Sequence, residues 1–241
     1  MDFPNSKALI LKFSASEYFL PPFMESMPKL KVLMIVNHNS KCATLKGISV
    51  FFSLTQLKFV RLERVIVPPL QEYCQSWQKL EKLSFIMCDG FENMNILHLG
   101  LHLYFPHLSD ITIDHCSNLE ELSVSICNMP SLQWLSITNC HDLHSLSDDI
   151  GNLILLHMLI LYSCLSLGKL PYSICNLQQL QFLDISLCGC IKQLLNELGW
   201  LSSLKYIDMR EFSHVKQLPK SASDLRSLVH VICDAKIGHQ W

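Results

Sequence analysis

Cysteine and histidine side chains lie close together at three places in the chain, and both residue types bind zinc. The places are Cys188-x-Cys190, His115-Cys116 and Cys140-His141. A zinc site normally combines a close pair such as Cys-x2-Cys with a second pair, and the sequence has no Cys-x2-Cys. The cysteines instead return at a regular interval along the chain, which favours a structural role. We therefore predict no bound metal and no cofactor.

Serine, histidine and aspartate, the residue types of a hydrolase triad, also occur together. They are His144, Ser145, Ser147 and Asp148, all within one short segment. No Gly-x-Ser-x-Gly elbow and no glycine-rich oxyanion loop accompanies them. No Gly-x-x-x-x-Gly-Lys-Ser/Thr loop for a nucleotide phosphate is present either. We interpret the four residues as solvated turn residues and predict that the protein is not an enzyme.

Composition indicates a folded chain with little net charge. Of the 241 residues, 49% are hydrophobic and 17% are charged, a balance too apolar for intrinsic disorder. A net charge of −2 gives no electrostatic reason to expect binding to nucleic acid. The longest apolar run, residues 153–162, is interrupted by His157 and is too short to span a membrane.

Cysteine usage bears on the location of the protein. Eleven cysteines are present, which is an odd number, and no Asn-x-Ser/Thr acceptor for N-glycosylation occurs. Both observations favour reduced thiols and an intracellular protein. We expect the cytoplasm, with the nucleus as the alternative location.

A repeated pattern of leucine, isoleucine and cysteine runs through the chain. With Leu132 as position 0, leucine or isoleucine follows at plus 3, 5, 11, 14, 18 and 21, and Cys140 lies at plus 8. The pattern restarts at Leu156, Leu180 and Leu204, so its period is constant there. The copies begin at residues 6, 30, 57, 80, 108, 132, 156, 180, 204 and 228, and the last is incomplete. These ten copies predict a single domain over residues 1–241.

The repeat predicts a solenoid. One copy is too short to bury its own apolar residues, whereas stacked copies bury them against their neighbours. Positions plus 2 to plus 6 alternate like a strand, with plus 3 and plus 5 pointing inward. The rest of each copy has a three-residue rhythm and prolines such as Pro171 and Pro219. We therefore expect short parallel strands on the concave face and irregular or single-turn helical returns on the convex face.

Cysteine occupies plus 8 in five successive copies, just after the predicted strand. A small, weakly polar thiol there can lie inside and meet backbone groups of the turn. Three other copies have His38, Val65 and Phe212 at this position, so the column is imperfect. We predict a buried structural column that consists of Cys88, Cys116, Cys140, Cys164 and Cys188.

The outward positions plus 2, 4 and 6 form the concave face. Large side chains occupy plus 2 in four successive copies, beside charged residues at plus 4 and plus 6. This combination is typical of a protein-binding surface, although cross-strand packing on a sheet face explains it equally well. The candidate partner-binding residues are Trp134, Met158, Tyr162, Phe182, Asp184, Tyr206, Asp208 and Arg210.

The pattern L-x-x-L-x-I-x-x-C-x-x-L-x-x-L-P resembles the leucine-rich repeats of plant intracellular immune receptors. The segments MDFPNSKALILKFSASEYFLPPFMESMPKLKVL, LSDITIDHCSNLEEL and SLVHVICDAKIGHQW are similar to the C-terminal repeats of one subgroup. That subgroup is the helper type, which has a powdery-mildew-resistance-like N-terminal domain. The resemblance covers essentially the whole chain and implies a leucine-rich-repeat solenoid of the α/β horseshoe type.

The resemblance also implies a function. It indicates a non-catalytic interaction and regulatory module in plant defence, with a nucleotide-binding domain in cis and lipase-like defence proteins as partners. Because the nucleotide-binding domain is missing from the sequence, we expect a truncated or partial product of a receptor. The alternative is a stand-alone intracellular leucine-rich-repeat scaffold for signalling proteins. A ubiquitin-ligase adaptor would need an N-terminal F-box bundle, and the first thirty residues already form a repeat.

Overall fold

The computed structural model describes residues 3–69, 77–91, 105–212 and 214–241. Ten parallel strands form one sheet, and two short strands, β2 and β4, form a second. The strands are β1 (Ala8–Phe13), β2 (Glu17–Phe19), β3 (Val32–Asn37), β4 (Thr44–Lys46), β5 (Phe59–Glu63), β6 (Lys82–Ile86), β7 (Asp110–Asp114), β8 (Trp134–Thr138), β9 (Met158–Ile160), β10 (Phe182–Asp184), β11 (Tyr206–Met209) and β12 (His230–Cys233). Strand order in the large sheet follows chain order, β1-β3-β5 and then β6 to β12.

Pairing in the large sheet follows the repeat. Each of its strands begins two residues after a predicted copy start, and equivalent positions of neighbouring copies are Cα partners. Trp134 pairs with Met158 at the regular spacing, and Lys82 pairs with Asp110 across a longer copy. The register of the strands is therefore the same for regular and longer copies, because a slip inside a strand would turn its apolar side chains to solvent. The predicted parallel solenoid is confirmed.

Within the described ranges the helices of the returns are short, as predicted. They include single turns of 3₁₀-helix, and Pro171 and Pro219 immediately precede two of these turns with φ near −65°. No helix in the described part of the chain is long and apolar enough to cross a membrane. The 3₁₀ turns are Pro22–Ser26, Ile48–Ser53, Asp148–Asn152, Tyr172–Asn176, Leu198–Trp200 and Lys220–Asp224, and the α-helices are α1 (Val124–Cys127) and α2 (Ala235–Gly238).

Positions 0, 3 and 5 form the interior. In the five copies that begin at residues 108 to 204, all fifteen side chains at these positions are 0% exposed. Burial of each such leucine or isoleucine contributes about 1.5–3 kcal/mol relative to an exposed position. Because every copy places the same positions inward, the apolar columns run continuously from copy to copy and hold the concave face in register.

One interior position differs from the sequence prediction. In the copy that begins at residue 30, His38 is exposed and Asn37 is fully buried. The Asn37 amide Nδ2 donates to the carbonyls of Lys41 (2.9 Å) and Arg64 (3.1 Å). Its Oδ1 accepts from the amides of Ala15 (3.3 Å) and Asn39 (3.0 Å). His38, which the repeat spacing puts at plus 8, therefore does not point inward in this copy.

The reason lies in the length of that copy. It is longer than the regular unit, and its extra residues form a loop after β3. Ala43, at the end of this loop, is the residue that bridges to Val65, a column position of the next copy. Asn37 satisfies backbone groups that the loop would otherwise leave buried and unpaired. The loop leads into β4, which pairs with β2, a small sheet that the repeat did not predict.

A left-handed residue ends the strand segment in seven successive copies. These residues lie at plus 7, none is glycine, and their φ angles lie between 51° and 62°. In the first six, the backbone N–H donates to the plus 6 carbonyl of the next copy, as Asn139 does to Tyr162 at 2.9 Å. In the seventh, the N–H of Glu211 donates to the Asp234 carboxylate at 3.1 Å. The turn directs plus 8 inward and joins each copy to its successor. The residues are Arg64, Met87, His115, Asn139, Ser163, Leu187 and Glu211.

Candidate functional site

The plus 2 row crosses the concave face as an ordered stripe. Trp134, Met158, Phe182 and Tyr206 are consecutive Cα partners on β8 to β11. The rings of Phe182 and Tyr206 stack with centroids 4.3 Å apart and planes 5° apart. Trp134 remains 43% exposed at the other end of the stripe. Stacking leaves these rings little rotational freedom, so the stripe is a preformed apolar surface.

Carboxylates lie beside the stripe, in the plus 4 row. Asp208 is 2% exposed and forms a bidentate ion pair with Arg210, with Nε–Oδ1 at 3.0 Å and Nη2–Oδ2 at 2.7 Å. Asp184, its Cα partner on β10, accepts hydrogen bonds from Ser186. Burial, followed by the charges of Asp208 and Asp184, raises the pKa of Tyr206 above its usual value. The C-terminal end of the concave face therefore places two carboxylates and the Arg210 guanidinium beside the stripe.

Lys82 and Asp110 mark the other side of Trp134. Their side chains form an ion pair at 2.8 Å across β6 and β7. A hollow of about 330 Å³ lies there, lined by this pair together with Phe59, Thr112 and Trp134, among others. The sequence prediction did not include this hollow. The only signal for it was the opposite charge of the Lys82 and Asp110 side chains, which are neighbours in the plus 2 row.

The five plus 8 cysteines are buried in a row. Each thiol lies within hydrogen-bonding distance of the plus 5 carbonyl of the preceding copy, which it reaches as a donor. The distances from Sγ are 3.3 Å for Cys88, 3.8 Å for Cys116, 3.9 Å for Cys140, 3.5 Å for Cys164 and 2.7 Å for Cys188. Each thiol thus gives a hydrogen-bond partner to a buried plus 5 carbonyl, and this is a structural role.

Burial opposes ionisation of these thiols, whereas the hydrogen bond with Cys116 lowers the pKa of Cys140 and the hydrogen bond with Cys164 lowers the pKa of Cys188. Burial raises the pKa of Cys88 to about 11, and the hydrogen bond with Cys140 together with burial raises the pKa of Cys116. Cys188 is buried whereas Cys190 is exposed, so the two do not converge on one point. Within the described ranges no three Cys, His, Asp or Glu residues are grouped as metal ligands.

No protein-family model matches the chain. It superposes on the leucine-rich repeat domain of the type III effector XopL with a TM-score of 0.72. That match has 18% sequence identity and covers 99% of this chain and 79% of the other. The plant peptide hormone receptor RGFR1 aligns with a TM-score of 0.56 at 15% identity, over 95% of this chain and 40% of the receptor. The chain has the leucine-rich-repeat fold.

Sequence relatives of this leucine-rich-repeat protein include plant disease resistance proteins. A probable disease resistance protein of Arabidopsis thaliana is 43% identical over 135 residues, which is 56% of this chain and 16% of that protein. The disease resistance protein ADR1 of Arabidopsis thaliana is 41% identical over 142 residues, which is 55% of this chain and 18% of ADR1. The match thus spans less than a fifth of these relatives.

A second groove of the leucine-rich-repeat protein lies where the strands end. Its volume is about 620 Å³, and its walls come from four copies. One wall is the loop that follows β3, in which the Cys42 thiol donates to the Met87 carbonyl at 3.1 Å. The sequence analysis did not predict this groove. The irregular spacing of the copies that form it was the feature of the sequence that could have indicated it. Other residues that line it are Arg64, Asp89 and His115.

The serine and histidine side chains of the triad residue types contact neighbouring backbone and carboxylate groups. The Ser147 hydroxyl accepts from the Asp149 amide at 3.1 Å and caps a 3₁₀ turn. The Ser145 hydroxyl donates to Glu121 Oε1 at 3.2 Å, and His144 Nε2 lies 3.7 Å from the same oxygen. In this leucine-rich-repeat protein the three side chains are thus engaged with neighbouring turns and carboxylates.

Proposed function

We propose that the chain is a non-catalytic protein-interaction and regulatory module of a plant intracellular immune receptor, acting in the cytoplasm or the nucleus. The proposal takes residues 1–241 as one leucine-rich-repeat domain and as part of a longer receptor. The similarity to plant disease resistance proteins supports the proposal. The matched region is a small fraction of each of those proteins.

The observation that carries the proposal is the partly exposed stripe on the concave face. Trp134, Met158, Phe182 and Tyr206 stand in register on four strands beside Asp184, Asp208 and Arg210. Interface hot spots are enriched in tryptophan, tyrosine and arginine, and pre-ordered side chains lose little entropy when a partner binds. RGFR1, which has the same fold, was solved in complex with the peptide hormone RGF2, in keeping with a protein or peptide ligand.

The stripe would regulate a receptor by differential binding. Contacts between the stripe and the nucleotide-binding module in cis would favour one arrangement of the receptor. A partner such as a lipase-like defence protein, with a different affinity for the two arrangements, would then shift the equilibrium between them. No chemistry at the repeat is needed for this role.

The test measures association of the chain with a nucleotide-binding module from a helper-type plant immune receptor. Trp134→Ala, Phe182→Ala and Tyr206→Ala each should weaken binding by about tenfold or more, as truncation of a hot-spot residue does. Isothermal titration calorimetry gives the affinities, and far-UV circular dichroism checks that each variant is folded.

Matched controls lie on the return side of the molecule. The rings of Tyr172 and Trp200 contact each other edge to face at 5.9 Å and are 50% and 52% exposed. Tyr172→Ala and Trp200→Ala remove aromatic rings of the same kind outside the stripe and should leave the affinity unchanged. Equal losses for the two sets of variants, or no loss for the stripe variants, would reject the proposal.

A further inference from the structure

Asp184 occupies the centre of the C-terminal part of the concave face. Phe182 precedes it by two residues on β10, and Ile160 is its partner on β9. Tyr206 lies on β11 as the Cα partner of Phe182, whereas Tyr162 lies in the turn that follows β9. With strands about 4.8 Å apart and a rise of about 3.3 Å per residue, the Cα atom of Tyr206 is about 8 Å from that of Asp184. The Asp184 carboxylate therefore lies beside the stacked rings of Phe182 and Tyr206.

One oxygen of this carboxylate is open. Oδ1 of Asp184 accepts from the Ser186 amide at 2.9 Å and from the Ser186 hydroxyl at 2.6 Å. Oδ2 accepts no hydrogen bond from any residue that the structure describes. The neighbouring Asp208 differs, because Arg210 occupies both of its oxygens. Asp184 thus keeps a charged acceptor that its own fold does not use, at a fixed position.

Charge is unevenly distributed along the concave face. The outward positions of the first four copies carry Lys12, Arg61 and Lys82 against one carboxylate, Glu63. The outward positions of the last six copies carry five carboxylates against one cation, Arg210. The five are Asp110, Asp114, Asp184, Asp208 and Asp234. The aromatic residues around Asp184 belong to the acidic part, so the surface is complementary to a basic ligand.

We propose that Asp184, with the rings of Phe182 and Tyr206, receives a lysine or arginine side chain from a protein partner. This inference rests on the proposed function and names the chemistry of the partner. The aliphatic stem of the basic side chain packs along the rings, and its cation donates to Oδ2 of Asp184. Two residues of strand separate Phe182 from Asp184, about 6.6 Å, which the stem of either side chain can span.

The direct test uses fluorescein-labelled twelve-residue Gly/Ser peptides that contain three arginines, three lysines, three glutamates or three citrullines. Citrulline has the shape of arginine without its charge. Fluorescence anisotropy with the full chain should detect the arginine and lysine peptides, and their affinity should fall as salt is raised from 50 to about 300 mM. The glutamate and citrulline peptides should bind at least about tenfold more weakly.

Asp184→Asn is the matching variant, because asparagine keeps the shape and the acceptor for Ser186 while it removes the charge. It should weaken the arginine and lysine peptides about tenfold. Asp148→Asn makes the same charge change at an exposed turn on the return side and should have no effect. Equal binding of arginine and citrulline peptides, or unchanged binding by Asp184→Asn, would overturn the inference.

The association assay with the nucleotide-binding module separates the two proposals. If Tyr206→Ala weakens association and Asp184→Asn does not, the interaction surface stands and the cation chemistry is wrong. If neither variant weakens association, both the proposed function and the cation chemistry are wrong. Loss of association with both variants supports the two together.

Discussion

Replacement of Asn37 by alanine should destabilise the N-terminal copies strongly. The change removes four hydrogen bonds at a fully buried side chain, two to carbonyls and two from amides. A hydrogen bond contributes about 0.5–1.5 kcal/mol net, and a buried group left unpaired costs about 1–3 kcal/mol. Lys41 is exposed, so its carbonyl regains water, whereas Ala15, Asn39 and Arg64 are half-buried. We expect a loss of about 3 kcal/mol.

The measurement has two parts, because repeat proteins unfold in parts as well as globally. Urea unfolding followed by far-UV circular dichroism gives the free energy of unfolding. Hydrogen exchange followed by mass spectrometry reports the amides of Ala15 and Asn39, which should lose protection in the variant. Segments of the copies that begin at residues 132 to 204 should keep theirs.

His38→Ala is the control, since His38 is exposed and is the residue that the repeat spacing placed in the interior. It should change the free energy of unfolding by less than about 0.5 kcal/mol. An equal loss for His38→Ala and Asn37→Ala would refute the assignment of Asn37 as the inward side chain. So would a loss below about 1 kcal/mol for Asn37→Ala.

Three further predictions concern stability, each measured by urea unfolding. Gly199→Ala should lower the free energy of unfolding by about 2 kcal/mol or more, because the new Cβ would lie 2.0 Å from a backbone carbonyl oxygen of the next copy. Gly168→Ala is the control and should not destabilise the fold, because its Cβ would have no atom within 4 Å. Glu211→Gly should stabilise the fold by about 1 kcal/mol, because φ is 62° at this residue and glycine adopts that angle without strain. Glu197→Gly, where φ is −98°, should destabilise the fold. A loss of stability for Glu211→Gly together with a gain for Glu197→Gly would show that the backbone at Glu211 is not strained. The Cys88 thiol stays neutral when folded up to about pH 11 but ionises near its ordinary pKa of 9.0 when unfolded. Stability should therefore fall between pH 9 and 11, by about 2–3 kcal/mol from this group, and Cys88→Val should flatten that part of the profile.

The strands and their register could be predicted from the sequence because burial is periodic. Every copy needs apolar side chains at positions 0, 3 and 5, so the spacing of leucine and isoleucine determines which residues become Cα partners. The alignment of Trp134 with Met158 follows from this spacing alone. Pro171 similarly marked the start of a turn, because its φ is restricted to the value that the turn requires.

Features that depend on irregular copies or on single hydrogen bonds were not predictable. Asn37 points inward because the long copy around it leaves buried backbone groups that need hydrogen-bond partners. The spacing of apolar residues does not show which backbone groups these are. The left-handed turns occur at residues such as Leu187 and Arg64, which have no preference for positive φ, so tertiary structure imposes that conformation. The charge of Asp184 was visible in the sequence, but its open oxygen depends on where Ser186 donates.

The turns at plus 7 and the thiols at plus 8 make the central copies interchangeable. Each copy donates an amide to its successor and a thiol to its predecessor. In return, its plus 6 carbonyl accepts from the amide of the preceding copy, and its plus 5 carbonyl accepts from the thiol of the following copy. Excision or duplication of one whole unit between Leu132 and Leu204 would bring together groups that already match. The central part of the chain can therefore change length by whole units while the hydrogen bonds between copies stay the same. The longer copy that contains Asn37 cannot be exchanged in this way.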